Sequence, residues 1–465
     1  MIDELNSRGC FTTYNHPAWS RVETGDVVGI RNAWAVEVYN YGTEVECGEG
    51  FDSVFWDAML RKGVRIHGFA SDDNHNPPKF FDSFGGYVMV RSEELTHEAI
   101  VNHLLAGDYY FSAGPSMLPV PVLERCAADM LNYQGSGMSV MEMSHRSKVY
   151  DGIIKETEAT LRRVLSIPDN YKVLFLQGGA TTQFAAIPMN LLKTGKADYA
   201  LTGSFASKAY KEGQKFGDMH AAFSSKETNF DHVPTQDELD IRPDADYFYI
   251  CANNTIYGTE YQYDPETPAG VELVADMSSN ILSKPVDVSK YGVIYAGAQK
   301  NMGPAGVTVV IVREDLLGNY PLEKYPVMLD WKTMADKDSM YNTPPTYGIY
   351  VLGLVAKWVE DMGGVKAMQE RAEKRSSMLY DYLDSQDFYK TVAAKDSRSH
   401  MNVTFRTGND ELDAKFAKES MAAGMSNLKG HRSVGGMRAS IYNAMPIEGV
   451  EKLIDFMKKF AEENK

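Results

Sequence analysis

The sequence predicts an α/β protein, a largely parallel sheet covered by helices on both faces and followed by a smaller α+β region. Two observations carry this. Between Tyr171 and Val312 six short apolar runs, KVLFLQGG, ADYALTG, DYFYICANN, VELVADMSS, YGVIYAGAQK and VTVVIVRE, alternate with helical stretches, the pattern of buried strands joined by crossover helices. After Pro345 the text becomes a long helical region, YGIYVLGLVAKWVEDMGG, and then a mixed region closed by the amphipathic EKLIDFMKKFAEEN. At 465 residues the chain exceeds the ~250–300 residues at which single cores stop growing, so two or three cores are expected.

In chain order, the first predicted element that marks a boundary is a helix over Leu95–Gly107. It has Ile100, Val101, Leu104 and Leu105 at helical spacing, Thr96 as its cap and Gly107 as its stop. The text changes at Tyr109: YYFSAGPSMLP is a Gly/Pro-punctuated opening, followed by an amphipathic helix near Val122–Tyr133. The expected division is therefore 1–108, then a large domain over 109–360 and a small one over 361–465.

Composition narrows the function classes. With 44% hydrophobic and 24% charged residues the chain reads as an ordinary globular protein. Its net charge of −16 argues against nucleic acid and acidic membrane surfaces as partners. Cys10, Cys47, Cys126 and Cys251 lie far apart with no CxxC pair, which fits reduced thiols. No apolar run reaches the ~18 residues of a membrane span, and MIDELNSRGC lacks the pattern of a signal peptide. A cytoplasmic enzyme is the expectation.

Three features between Gly178 and Lys300 carry chemistry. LFLQGGATTQFAAIPMNLL reads as strand, glycine turn and helix start, where Gly178 and Gly179 permit close backbone approach and the amides of Ala180 and Thr181 face an anion. Alone, such a turn is more often a plain connection. VELVADMSSN puts Asp276 at the C-terminal end of a strand, the edge where open α/β sheets bind ligands. An isolated aspartate there is more often a turn or cap residue. VIYAGAQKNMGPAG presents Lys300 just past another strand, in a loop tightened by Gly303, Pro304 and Gly306. Most lysines are solvated surface groups, but one enclosed by small residues is a candidate nucleophilic amine.

Taken together, a phosphate cradle, a strand-end Asp and a later Lys follow the order that pyridoxal-phosphate (PLP) enzymes of the aspartate-aminotransferase fold require. From Tyr109 to Lys465 the chain resembles the phosphoserine aminotransferase family, through FSAGPSMLP, SHRSKVYDGII, GGATTQFAAIPMNLL, AGAQKNMGPAGVTVVIVRE, NTPPTYGIY and GGMRASIYNAMP. The resemblance implies the fold-type I architecture of PLP-dependent transferases. It implies that Lys300 is the Schiff-base and proton-shuttling lysine, Asp276 the partner of the pyridine nitrogen, and Thr255, in CANNTIYGTEY, the hydroxyl bonded to the ring oxygen. Gly179, Ala180 and Gln299 match contacts to the cofactor phosphate. Asn342 and Thr343, in NTPPT, match phosphate contacts supplied by a second subunit, so a homodimer with shared active sites is implied. Two departures stand out. Phe205 occupies the place where many relatives stack a tryptophan on the pyridine ring, and it can still stack with less area. Ala180 stands where some relatives carry Arg, which leaves the substrate phosphate more dependent on other basic groups.

On the substrate side, two basic clusters stand against the acidic background: His145-Arg146, and Lys429 with His431-Arg432. Arginine presents a planar fork of donors suited to phosphate and carboxylate, although unplaced arginines are more often surface salt-bridge partners. The resemblance implies that His145, Arg146, His431 and Arg432 bind the substrate phosphate, the first two from across a dimer interface. It also implies that Arg438, on a predicted strand, anchors the α-carboxylate. The implied reaction is a ping-pong transfer of the amino group from glutamate to 3-phosphohydroxypyruvate, giving O-phosphoserine and 2-oxoglutarate in serine biosynthesis. The family can also aminate a four-carbon phosphorylated analogue, giving 4-phosphohydroxythreonine for vitamin B6 synthesis.

The first 108 residues carry a second resemblance. TTYNHPAW, AVEVYN and GFASDDNHNP are similar to the C-terminal portion of the PHP family of metal-dependent phosphoesterases. It implies His16, Asp73 and His75 as metal ligands, with Glu37 a weaker match. The HxH ligands that open that family are absent from the sequence, so a remnant is expected ahead of a working metal centre. Metal-dependent phosphoesterase activity and a non-catalytic docking role are the alternatives for this segment.

Overall fold

The computed structural model describes residues 109–464 together with three short strands near the start of the chain, and its contacts divide into two compact units, Met1–Gly107 and Asp108–Lys465. In the first unit β1 (Thr13–Tyr14), β2 (Ala35–Asn40) and β3 (His67–Ser71) form a parallel three-stranded sheet. The helix expected over Leu95–Gly107 lies outside the described residues.

The second unit is built on a seven-stranded sheet. Its strands are β4 (Tyr171–Leu176), β5 (Lys196–Leu201), β6 (Asp218–Ser224), β7 (Tyr247–Cys251), β8 (Glu272–Asp276), β9 (Val293–Gly297) and β10 (Thr308–Arg313). The order is β4-β10-β9-β8-β7-β5-β6. Every pairing from β9 through β6 is parallel, while β10 runs antiparallel to both β9 and β4. Strand β7 is buried along its whole length, because helices cover both faces and leave no residue for solvent. Six of these strands coincide with the apolar runs in the sequence. β6 does not: DMHAAFS is exposed at both ends, and it is an edge strand whose outer side needs no continuous apolar run.

Several helices pack on this sheet. α1 (Val120–Asp129) and α2 (Lys148–Leu165) precede it, α3 (Gly179–Leu191) follows β4, α4 (Ser204–Gly213) follows β5, and α5 (Thr346–Asp361) leaves it. α2 shows why such a helix forms. Ser147 caps its start by accepting from the Tyr150 amide, and Ile153, Ile154, Leu161, Val164 and Leu165 bury one face. The long α6 (Gly364–Asp384) leads into a smaller antiparallel sheet of β11 (Lys390–Thr391), β12 (Asn402–Arg406) and β13 (Met437–Ser440). α7 (Asp410–Ala422) and α8 (Ile447–Asn464) complete this region. Its core has Phe405, Phe416, Leu453 and Met457 at its centre, and Phe111 from the opening segment is buried with them. No described helix is long and apolar enough to cross a membrane.

Candidate active site

The C-terminal ends of β4, β7, β8 and β9 surround a cavity of about 340 Å³, lined by Gly179, Ala180, Phe205, Thr255, Asp276, Gln299, Lys300, His431 and Arg438 among others. Location at the carboxyl edge of a parallel sheet is the general rule for ligand sites in such folds. Lys300 lies in the turn just past β9. That turn is held by the Ala298 amide on the Val307 carbonyl (2.9 Å) and the Gly303 amide on the Ala298 carbonyl (2.8 Å). The Lys300 ammonium donates to Thr255 Oγ1 at 2.6 Å and lies 5.7 Å from the centroid of the Phe205 ring. A lysine, a hydroxyl and an aromatic ring thus face one small space.

Asp276 ends β8 and is 5% exposed. Its Oδ1 accepts from the Ser278 amide (2.9 Å) and the Ser278 hydroxyl (2.5 Å), and its Oδ2 from the Tyr295 hydroxyl (3.1 Å), itself 2.7 Å from Tyr249. Three donors thus satisfy a carboxyl group that would be costly to bury unpartnered. Burial raises Tyr249 and Tyr295 well above their ordinary values, with Asp276 adding to both, so the two phenols remain donors. Cys251, opposite Asp276 in the β7–β8 register, is pushed up by burial first and by Asp276 second. It forms a neutral wall and not a nucleophile.

Gly178 and Gly179 adopt positive φ of 90° and 69° at the start of α3, and no side chain caps that helix. A Cβ on Gly178 would sit 2.4 Å from Thr182 Oγ1, so the turn tolerates only glycine there. The uncapped amides of Gly179, Ala180 and Thr181 line the cavity and can hold a phosphate. A planar pyridine carrying an aldehyde and a phosphate fits this set of groups: an anion cradle, an aromatic ring to stack on, a buried carboxylate and a primary amine.

The other wall comes from β13 and the loop before it. Arg438 donates to the Thr255 carbonyl at 3.3 Å, while its Nε is buried without a partner. Burial pulls the guanidinium below its usual range, but an arginine keeps its charge at neutral pH. The His431 Nδ1 accepts from the Ser433 amide at 3.2 Å, which leaves Nε2 as the donor when the ring is neutral. The His431 imidazole is held below its ordinary range by burial, then by Arg438, Arg432 and Lys208.

Several side chains here carry no local motif. Ser278 fixes Asp276. Ser116, within FSAGPSMLP, donates its amide to the Gln299 carbonyl (2.9 Å) and its hydroxyl to the Lys300 carbonyl. Gly114 is packed so closely that a Cβ would meet Lys300 Cγ at 3.2 Å. Arg375, on α6 and fully buried, donates to the carbonyls of Asn443 (3.2 Å) and Met445 (2.8 Å). The Asn443 amide in turn meets Asn301 Oδ1 at 3.0 Å, next to Lys300. Gly-Pro in the opening segment was a visible signal; the serines and Arg375 had none.

Other residues singled out from the sequence stand apart from this cavity within one chain. Arg432 is exposed beside His431. His145 and Arg146 lie before α2, half-buried and exposed respectively. Asn342 lines a separate cavity of about 290 Å³ with Gly178, and the neighbouring Thr343 carbonyl accepts from Gln177 Nε2 at 2.7 Å. His16, Asp73 and His75 lie outside the described residues, as does the side chain of Glu37. Among the described residues no three His, Cys, Asp or Glu side chains group to hold a metal.

Comparison with known proteins agrees with this geometry. Residues 108–453 match the model of the class-V aminotransferases. The phosphoserine aminotransferase of Nitrosomonas europaea is 53% identical over 359 residues, covering 76% of this chain and 98% of the relative. The solved phosphoserine aminotransferase of Bacillus circulans subsp. alkalophilus superposes with a TM-score of 0.75 at 49% identity, covering 77% of this chain and 99% of that one. The PLP-bound phosphoserine aminotransferase of Trichomonas vaginalis gives 0.72 at 40% identity, covering 76% and 99%. A mostly parallel sheet with a lysine, an aspartate and an uncapped helix at its carboxyl edge, matched over nearly the whole length of these relatives, means that the chain belongs to the class-V aminotransferases and, within them, to the phosphoserine aminotransferase family.

Proposed function

We propose that residues 109–465 transfer the amino group of glutamate to 3-phosphohydroxypyruvate by a ping-pong reaction with pyridoxal 5′-phosphate, giving O-phosphoserine and 2-oxoglutarate. The observation that carries this is the meeting, in one cavity, of the Lys300 ammonium, the buried Asp276 carboxylate and the Arg438 and His431 side chains. When bound, the cofactor supplies a ring that withdraws electrons from the substrate α-carbon. In this reading Lys300 carries the cofactor and moves the proton at that carbon. Asp276 keeps a proton on the ring nitrogen, Thr255 donates to the ring oxygen, and Phe205 stacks on the ring. Gly179, Ala180 and Gln299 hold the phosphate.

Arg438 takes the α-carboxylate, and its unpartnered Nε supports that role. His431 and Arg432 take the substrate phosphate. Asn342 and Thr343 reach the cofactor phosphate, and His145 and Arg146 the substrate phosphate, of a second copy of the chain. Their standing apart from the cavity within one chain supports that reading and, with it, a homodimer. For residues 1–108 the PHP-like remnant rests on the motifs alone, and metal content with a phosphatase assay tests it.

The decisive experiment is a coupled assay of the purified, cofactor-loaded protein with glutamate and 3-phosphohydroxypyruvate. Formation of phosphoserine is expected. A folded, loaded protein that transfers amino groups to other oxo acids and not to this one would overturn the substrate assignment.

A further inference from the structure

Helix α4 starts one residue before Phe205, and its next turn brings Lys208 to the same cavity. Three observations set this lysine apart. Its ammonium lies 5.4 Å from the Phe205 ring centroid, beside the ring that the Lys300 ammonium approaches to 5.7 Å. Its charge is felt at His431, together with those of Arg438 and Arg432. Among the described residues no carboxylate pairs with it, whereas Lys215, just past the end of the same helix, is tied to Glu212 at 2.6 Å. Lys208, Lys300 and Arg438 thus bring three cationic side chains to one cavity in a chain of net charge −16. Like charges at such range repel unless an anion lies among them.

We infer that Lys208 is a specificity residue, supplying a mobile positive charge to the distal anionic group of the substrate from the chain that also supplies Lys300. The inference rests on the function proposed above, in which one site serves two substrates in turn. One ends in a phosphate dianion and the other in a single carboxylate. A cation gains about twice as much Coulomb energy from the first as from the second. The flexible four-carbon stem of a lysine follows either group, which the planar fork of an arginine does less readily. Lys208 therefore weights the site toward the phosphorylated partner.

The test uses the holoenzyme of the wild type, Lys208→Met and Lys208→Arg. Each half-reaction is followed by the cofactor absorbance, and the affinity for inorganic phosphate is measured by calorimetry. Lys208→Met is expected to lower kcat/KM for O-phosphoserine about ten-fold, the scale of one lost charge-assisted contact. For glutamate the loss is about three-fold, half that free energy. Phosphate affinity falls with the first, Lys208→Arg recovers most of both, and cofactor content is unchanged. Equal losses for the two substrates, or phosphate affinity unaltered by Lys208→Met, overturn the inference. Absence of turnover of phosphorylated substrates by the wild type is the separate failure of the proposed function, and phosphate affinity still decides the role of Lys208.

Discussion

The two ends of the cavity are built differently. At the Lys300 end the side chains sit on or close after strand ends: Asp276 closes β8, Thr255 follows the short extended pair Asn253–Asn254 beyond β7, Lys300 lies in the turn after β9, and each has a hydrogen-bond partner within about 3 Å. At the far end the groups sit on a loop before β13 and on the side of α4. The His431 ring hydrogen-bonds to Ser433 of its own loop, and Arg432 and Lys208 are exposed. The first arrangement is preorganised, as electrostatic stabilisation of a reacting centre requires. The second is adaptable, as a site for two substrates of different length and charge requires. In the proposed reaction the sheet edges would carry the chemistry, and the exposed cations the choice of substrate.

Changes at the Lys300 end should act on the chemical step. Lys300→Ala removes the amine that would carry the cofactor and move the proton, and is expected to lower kcat by about 10⁴-fold or more. The check is single-turnover kinetics together with the loss of the visible absorbance band of the lysine-bound cofactor; retention of both would place the reacting amine elsewhere. Asp276→Asn keeps the shape and most of the Ser278 contact but removes the negative charge. A fall in kcat of roughly 10²–10³-fold is expected, the scale of one lost preorganised electrostatic group, with substrate KM little changed. A change confined to KM would contradict the division of labour between the two ends.

Changes at the far end should act on binding and on its pH dependence. The free His431 ring is held below its ordinary value, so it is neutral at pH 7. A phosphate arriving beside it favours the protonated ring, and binding takes up a proton. Affinity for the phosphate dianion therefore rises as pH falls through the ordinary histidine value, by at most about ten-fold per pH unit. His431→Asn should remove that slope and leave kcat near the wild-type value. Calorimetry of phosphate binding in buffers of different ionisation heat reads the proton uptake; an unchanged uptake in the variant would assign it to another group.

Much of the Lys300 end was legible in the sequence because its signals are local. A strand reads as an apolar run, a phosphate turn as paired glycines, and an enclosed lysine as one flanked by Gly and Pro. β6 was not legible, since DMHAAFS lies at a sheet edge, has only a three-residue apolar run and is buried at just two positions. Nor were Ser116 and Arg375, whose partners are 184 and about 70 residues away. Lys208 reads as one of several lysines along an amphipathic helix, and only the fold sets it beside His431. The expectation that His145, Arg146, Asn342 and Thr343 serve a second copy came from resemblance alone, because local pattern says nothing of what another copy would contribute.

The reversal of β10 has a consequence for how Lys300 is kept in place. Because β9 and β10 run antiparallel and adjacent, the turn bearing Lys300 is the tip of a hairpin whose ladder continues into it through Ala298 and Val307. A parallel neighbour would have required a long crossover, free to open by itself. Here both stems lie inside the sheet, so the Ala298 and Gly303 amides, bonded to Val307 and Ala298, are expected to exchange slowly with solvent deuterium. The turn that carries Lys300 is then tied into the sheet at both of its ends.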